Sequence, residues 1–370
     1  EYTFPGGTTN FLDGAFQMGR VMQTNEFVEG ENASGEPIDS YRAAFLRFGW
    51  QTDGSRDWHH LYNFPAYGLA LYGLDYGNTE ELGNPTSLYG FFAWPMGTWG
   101  RTSLNADIGF GLTTNWEAYD RDDNPYNTAM GLGRSVHIDF GANVEYRLAE
   151  HWAGSLGFSV THFSNGGTRA PNSGMNQIGP YLKVKYKFDD WVRPVRRTEF
   201  GPFQPEWDLN VTLSGGTRSI NHNVSEIAPE IDHVIEDYFM GNLVTTAGYR
   251  TGLRSRWVAG LDIGYNESAD DVAWLAAAKE GENIEPSESD RWELGVVGGY
   301  EQIVHRTVIL IQLGYTLVYN DVDGALPAFY QRLGIHYDVH AGWHLGLNVR
   351  MSDFSRAQNL EWGLGKRFGL

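Results

Sequence analysis

Apolar and polar residues alternate along nearly the whole chain. In "SLNADIGFGLTTNW", Leu104, Ala106, Ile108, Phe110 and Leu112 take one face, and Asn105, Asp107, Gly109 and Gly111 take the other. In "SVHIDFGANVEYRL", Val136, Ile138, Phe140, Val144 and Tyr146 oppose His137, Asp139, Asn143, Glu145 and Arg147. "GWHLGLNVRM" repeats the pattern with Trp343, Leu345, Leu347, Val349 and Met351 against His344, Asn348 and Arg350. A period of two over such lengths predicts strands with one apolar and one wet face. About sixteen segments qualify (range ~14–16), ending with "NLEWGLGKRFGL". A sandwich also alternates, but its strands are usually shorter and its wet face lies outside.

Connection lengths separate these options. The odd-to-even connections at 23–40, 75–85, 116–134, 165–175, 218–239 and 267–291 are long and polar. Several even-to-odd connections are tight, among them "MGTWGR", "AE", "TGLRS" and "VH". The segments 51–65 and 189–205 are exceptions on the tight side. Long loops at one end and tight turns at the other predict an all-β fold, a transmembrane antiparallel outer-membrane β-barrel. Its loops are extracellular and its turns periplasmic. The terminal strand is expected to close against the first, leaving no open edge.

The Pro- and Arg-rich stretch "DDWVRPVRRTEFGPFQPE" interrupts the alternation at 189–206. It divides strands in 1–188 from further strands in 206–370, with 189–205 as a periplasmic connection. Two small barrels would need two closures, so one barrel over 1–370 is the expectation. Such a barrel has a wide lumen, to be filled by the N-terminal segment or inward loops. Lumen-facing Lys183, Lys185 and Lys187 beside Asp107, Asp139 and Glu145 either line a pore or pair with one another.

Composition agrees with a barrel. Aromatics make up 14% of the 370 residues, with 13 Trp, 20 Tyr and 20 Phe, as interfacial girdles require. Mean hydropathy is −0.40 and no apolar run has the length of a spanning helix. The net charge of −19 argues against nucleic-acid binding. With 0 Cys, disulfides, thiolate catalysis and a lipid-anchored cysteine are excluded. The chain opens on "EYTFPGG" without a basic, apolar leader, so either a signal peptide has been removed or export does not use one. The loop at 267–291 is acidic but matches no calcium motif, and "VAWLAAAK" within it predicts a short helix. His59 and His60 read as a turn or interfacial feature.

Candidate chemistry lies in "FSVTHFSNGGTRAPNSGMNQ" (158–177). Its strand places Leu156, Phe158, Val160, His162 and Ser164 on the apolar face, with Ser155, Ser159 and Thr161 opposite. His162 and Ser164 therefore share the lipid-facing side at the outer end of an outward-running strand. A neutral imidazole beside a hydroxyl can take its proton and make a nucleophile. A pair of this spacing also arises by chance as interfacial polar residues.

"HFSNGGTRAPNSG" resembles the active-site motif of the outer-membrane lipid A 3-O-deacylases, a family of β-barrel esterases. The matching positions are His162, Ser164, Asn165, Gly167, Pro171, Asn172 and Gly174. The motif covers about 158–182 and a looser likeness about 41–188; "YDRDDNPYNTAMG" resembles larger members. The resemblance implies Ser164 as nucleophile, His162 as general base, and an oxyanion hole from Asn172 with the amides of Gly166 and Gly167. Arg169 is a candidate phosphate contact. The implied substrate is lipid A of the outer leaflet, in the outer membrane of a bacterial cell. No cofactor or metal is implied, and no protein partner is readable. The family's acid falls on Asn176. Its parity brings it opposite His162, so it either orients the imidazole through its carbonyl or leaves the motif degenerate. The competing reading is a non-catalytic barrel, a channel or a structural partner in an envelope complex.

Overall fold

A computed structural model of the chain describes residues 9–189, 200–231, 233–282, 285, 287–354 and 356–370. Strands dominate, in the order β1 (Thr9–Val21), β2 (Ser40–Gln51), β3 (Ala66–Asp75), β4 (Gly83–Trp99), β5 (Thr102–Trp116), β6 (Arg134–Arg147), β7 (Trp152–Ser164) and β8 (Met175–Lys187). There follow β9 (Glu206–Asn223), β10 (His233–Arg250), β11 (Ser255–Asn266), β12 (Trp292–Val304), β13 (Thr307–Val318), β14 (Phe329–His340), β15 (Trp343–Ser352) and β16 (Arg356–Gly369). Short helices α1 (Glu26–Glu29), α2 (Asp57–Leu61) and α3 (Thr79–Leu82) lie in the first half, and α4 (Ala269–Lys279) lies in the second. The helix expected around "VAWLAAAK" is α4. No helix among the described residues is long and apolar enough to cross a membrane.

The expected single barrel with a wide lumen is not what forms. The strands close as two antiparallel barrels, β1–β8 and β9–β16. β1 pairs with β8, for example Ala15 opposite Lys183. The terminal strand β16 closes on β9, not on the first strand, with Leu364 opposite Leu213. Closure at eight strands follows from pairing that local alternation does not encode: each half already contains an edge strand that completes its own ring. The interruption falls between the two rings: β8 ends at Lys187 and β9 begins at Glu206. Residues 190–199 of the connection, and residues 1–8 of the N-terminal segment expected to fill a lumen, lie outside the described residues.

Eight strands leave an interior only wide enough for side chains. In the first barrel Arg47 holds Asp13 at 2.9 Å and Asp107 at 3.4 Å, and Lys185 holds Glu145 at 2.5 Å. Phe45, Tyr72, Tyr89, Phe91 and Tyr181 are buried among these charges. Lys185 thus pairs inside the barrel and Lys183 lies 3.9 Å from Asp13, the second of the two arrangements the sequence allowed. In the second barrel Arg332 bridges Glu361 at 2.7 Å and Asp262 at 2.9 Å, and Arg256 bridges Glu301 at 2.6 Å and Asp208 at 2.8 Å. A buried charge is tolerated only when it is paired and hydrogen-bonded.

The outer faces carry the apolar residues. Leu156, Leu182 and Phe140 are exposed on the first barrel, and Leu213, Leu313 and Trp362 on the second. Aromatics gather at the tight-turn ends. In the first barrel Trp152 lies 4.8 Å from Tyr186; in the second Trp207 lies 4.6 Å from Tyr249.

Removing the cation at the centre of the first barrel strands two buried carboxylates. Arg47→Leu should therefore destabilise that barrel by about 3–5 kcal/mol. Equilibrium urea titration in detergent micelles would read this, and replacing Asp13 and Asp107 by Asn in the same chain should recover much of the loss.

Candidate active site

Strand β7 sets the direction of the site. Ser159, Thr161 and Phe163 are buried inside the first barrel, whereas Leu156, Phe158 and Val160 are exposed outside it. His162 and Ser164 carry the outward parity. Ser164 is nevertheless only 8% exposed, so the outer end of the strand is covered. In the ladder His162 stands opposite Asn176 of β8 on one side and Ile138 of β6 on the other. Asp139 and Glu145 point inward, as the alternation predicted; Asp139 accepts from Thr161 at 2.8 Å and is not available to His162.

The hairpin brings His162 and Asn176 into contact. Their Nδ1 and Oδ1 atoms are 2.7 Å apart. Oδ1 can only accept, so Nδ1–H donates and Nε2 keeps a lone pair. The Asn176 amide nitrogen donates to Thr24 Oγ1 at 2.9 Å, on the side of the amide away from the ring.

Gly174 sits against both His162 and Ser164. A β-carbon built on it would lie 3.2 Å from His162 Cε1 and 3.5 Å from Ser164 Cβ, and only 2.9 Å from the Phe163 carbonyl oxygen. Its φ is +73°, a left-handed conformation that favours glycine. The glycine thus lets the imidazole edge and the serine share one small volume.

The connection after β7 is tied down at several points. Asn165 N–H donates to Asn172 Oδ1 at 2.8 Å, leaving the Asn172 amide nitrogen as the free donor end of that side chain. Ser173 N–H and Gly174 N–H donate to the carbonyls of Thr128 and Ala129, both at 3.1 Å. Asn127 shapes that supporting loop: its Oδ1 accepts from Ala129 and Met130 amides, and its Nδ2 donates to the Glu81 and Glu117 carbonyls. Asn25, the cap of α1, donates to Gly174 O at 2.9 Å.

Not all the expected residues come together. His162, Ser164, Asn165, Pro171, Asn172, Gly174 and Asn176 belong to the first compact unit, but residues 166–170 group with the second. There the Gly167 carbonyl accepts from Ser219 N–H at 2.9 Å, and Arg169 Nη1 pairs with Asp237 Oδ2 at 3.0 Å. Gly166 and Gly167 have φ of +69° and +78°. His59 and His60 lie in α2 rather than in a turn, with His59 Nδ1 accepting from Gly54 N–H and His60 bonded to Gly54 O. Thr24, Asn25 and Asn127 were not picked out from the sequence. Asn127 lies in the quoted "NPYNTAMG", but nothing periodic marks Thr24.

Comparison with known proteins follows the same division of the chain. Residues 43–185 match the family model "Lipid A 3-O-deacylase (PagL)", and residues 207–370 match "Acyloxyacyl hydrolase, C-terminal domain". Among curated proteins, none matches. Among solved structures, the ferric enterobactin receptor is similar at 11% identity and a TM-score of 0.24; the alignment covers 94% of this chain and 54% of the receptor, so the chain spans about half its length. An outer membrane channel from Pseudomonas putida F1 is similar at 13% identity and a TM-score of 0.20, covering 99% of this chain and 100% of the channel. A Rhodopseudomonas blastica porin triple mutant is similar at 11% identity and a TM-score of 0.19, covering 97% of this chain and 99% of the porin. With the two family models together spanning most of its length, the chain belongs to the PagL lipid A 3-O-deacylase and acyloxyacyl hydrolase family of outer-membrane β-barrels.

Proposed function

We propose that the protein is a serine esterase of the outer membrane that removes the 3-O-linked acyl chain of lipid A. The observation that carries this reading is the 2.7 Å contact between His162 and Asn176 on the outward face of β7, beside Ser164. It leaves Nε2 as the base, at a place where a lipid acyl ester arrives from the side.

Ser164 Oγ attacks the acyl carbonyl as its proton passes to His162 Nε2. The carbonyl oxygen becomes an oxyanion, for which the Asn172 amide is the donor. Collapse of the tetrahedral intermediate expels the sugar 3-oxygen, which takes the proton back from His162. Water then repeats the sequence on the acyl-serine and releases the fatty acid. No step requires a metal or a cofactor. Arg169 enters as a phosphate contact only if it shares its guanidinium with Asp237. Buried charged and aromatic side chains inside both barrels favour this reading over a channel.

Mass spectrometry of lipid A from Gram-negative cells producing the chain provides the test. The native protein should shorten lipid A by one 3-hydroxyacyl group, and Ser164→Ala or His162→Ala should lower turnover on the order of 10³-fold or more. Identical lipid A from all three strains would end the esterase reading. Gly174→Ala should cost about 100-fold in kcat while the barrel still folds, because a misplacement of the order of 1 Å at the imidazole suffices; folding is checked by heat-modifiable migration on gels. Asn176→Asp, which lets a carboxylate stabilise the imidazolium, should raise kcat by about tenfold or more.

A further inference from the structure

The family motif ends on the β7–β8 hairpin, but the hydrogen bonds around the site continue onto a segment of distant sequence. Met22–Asn25, just past β1, grips the hairpin at three places. Met22 N–H donates to Asn176 O at 2.8 Å. Asn176 Nδ2 donates to Thr24 Oγ1 at 2.9 Å, and Asn25 Nδ2 donates to Gly174 O at 2.9 Å. The Thr24 hydroxyl directs its proton toward Met22 O, 3.5 Å away, while its oxygen accepts from Asn176.

These bonds have a direction. Read from the outside in, Thr24 accepts from the Asn176 amide nitrogen, and Asn176 Oδ1 accepts from His162 Nδ1–H. An amide has one donor end and one acceptor end. If it turned over, its NH₂ would face Nδ1, the ring proton would move to Nε2, and His162 could not take the Ser164 proton. A carboxylate has no wrong end.

We propose that Thr24 is a positioning residue for the esterase site: it anchors the Asn176 amide in the one orientation that holds His162 as a base toward Ser164. The proposal rests on the esterase reading above. It explains how an asparagine serves where the family places an acid, by recruiting a second residue that supplies the polarity a carboxylate has by itself.

The test is a double-mutant cycle on the full-length chain in detergent micelles with lipopolysaccharide as substrate. Thr24→Val keeps the shape and removes the acceptor. It should lower kcat about three- to tenfold with KM unchanged, the size expected for one neutral hydrogen bond, and Thr24→Ser should restore kcat. In the Asn176→Asp background the same Thr24→Val change should cost less than about twofold, since no amide remains to be oriented. An equal loss in both backgrounds, or no loss in either, overturns the proposal. An independent measurement needs no turnover: ¹⁵N NMR of His162 in the Ser164→Ala chain should show the Nδ1–H tautomer, and Thr24→Val should shift it toward Nε2–H. An unchanged tautomer overturns the role of Thr24, whereas activity that survives Ser164→Ala overturns the esterase reading and leaves the tautomer result standing.

Discussion

Within lipid, a strand with an unpaired edge leaves a row of amides and carbonyls with no partner, and each such group costs several kcal/mol. Closure is the constraint that every other feature obeys. Here it is met twice, by the β1–β8 and the β16–β9 ladders. Once a ring closes at eight strands, its interior has room for side chains and little else. Inward positions then cannot be merely polar. They must be mutually satisfied, which is why Arg47 sits among Asp13 and Asp107, and Arg332 among Asp262 and Glu361.

A filled interior also decides where chemistry can occur. On the proposed esterase reading, a substrate as large as a lipid does not enter such a barrel, and the pair that acts on it stands on the outer wall or at the rim. His162 and Ser164 do so by parity alone, since a slip of one residue in the β7 register would turn both inward. The outer wall gives little support to polar groups, however, and the pair needs cover. The loops around it hold the β7–β8 connection and Asn176 in place through backbone carbonyls at Thr128 and Ala129 and through the side chains of Asn25 and Thr24. The strand fixes the direction of the site and the loops fix its polarity.

Much of this was legible in the sequence because it is local. Alternation located the strands, their faces and the tight-turn ends, and hairpin parity alone placed Asn176 opposite His162. Closure number was not legible, because alternation looks the same in a ring of eight and a ring of sixteen. It depends on whether β1 meets β8 or β16, a pairing between segments far apart in the chain. The interruption after Lys187, with equal numbers of strands on either side, was the available signal. Thr24 was hidden for the same reason: it lies 152 residues from Asn176, in a loop with no period to read.

Asparagine in the place of an acid changes what the surroundings must do. A carboxylate brings charge and two equivalent oxygens, so it orients an imidazole whichever way it sits. An amide brings no net charge and has a sense of direction. The 2.7 Å contact at His162 is useful for catalysis in only one of the two amide orientations, which differ by exchange of nitrogen and oxygen at nearly the same positions. Steric packing cannot separate such similar shapes; hydrogen-bond partners can, here a Thr24 hydroxyl whose own proton is directed to Met22 O. The departure at Asn176 therefore moves part of the site's specification out of the motif and onto the segment that follows β1.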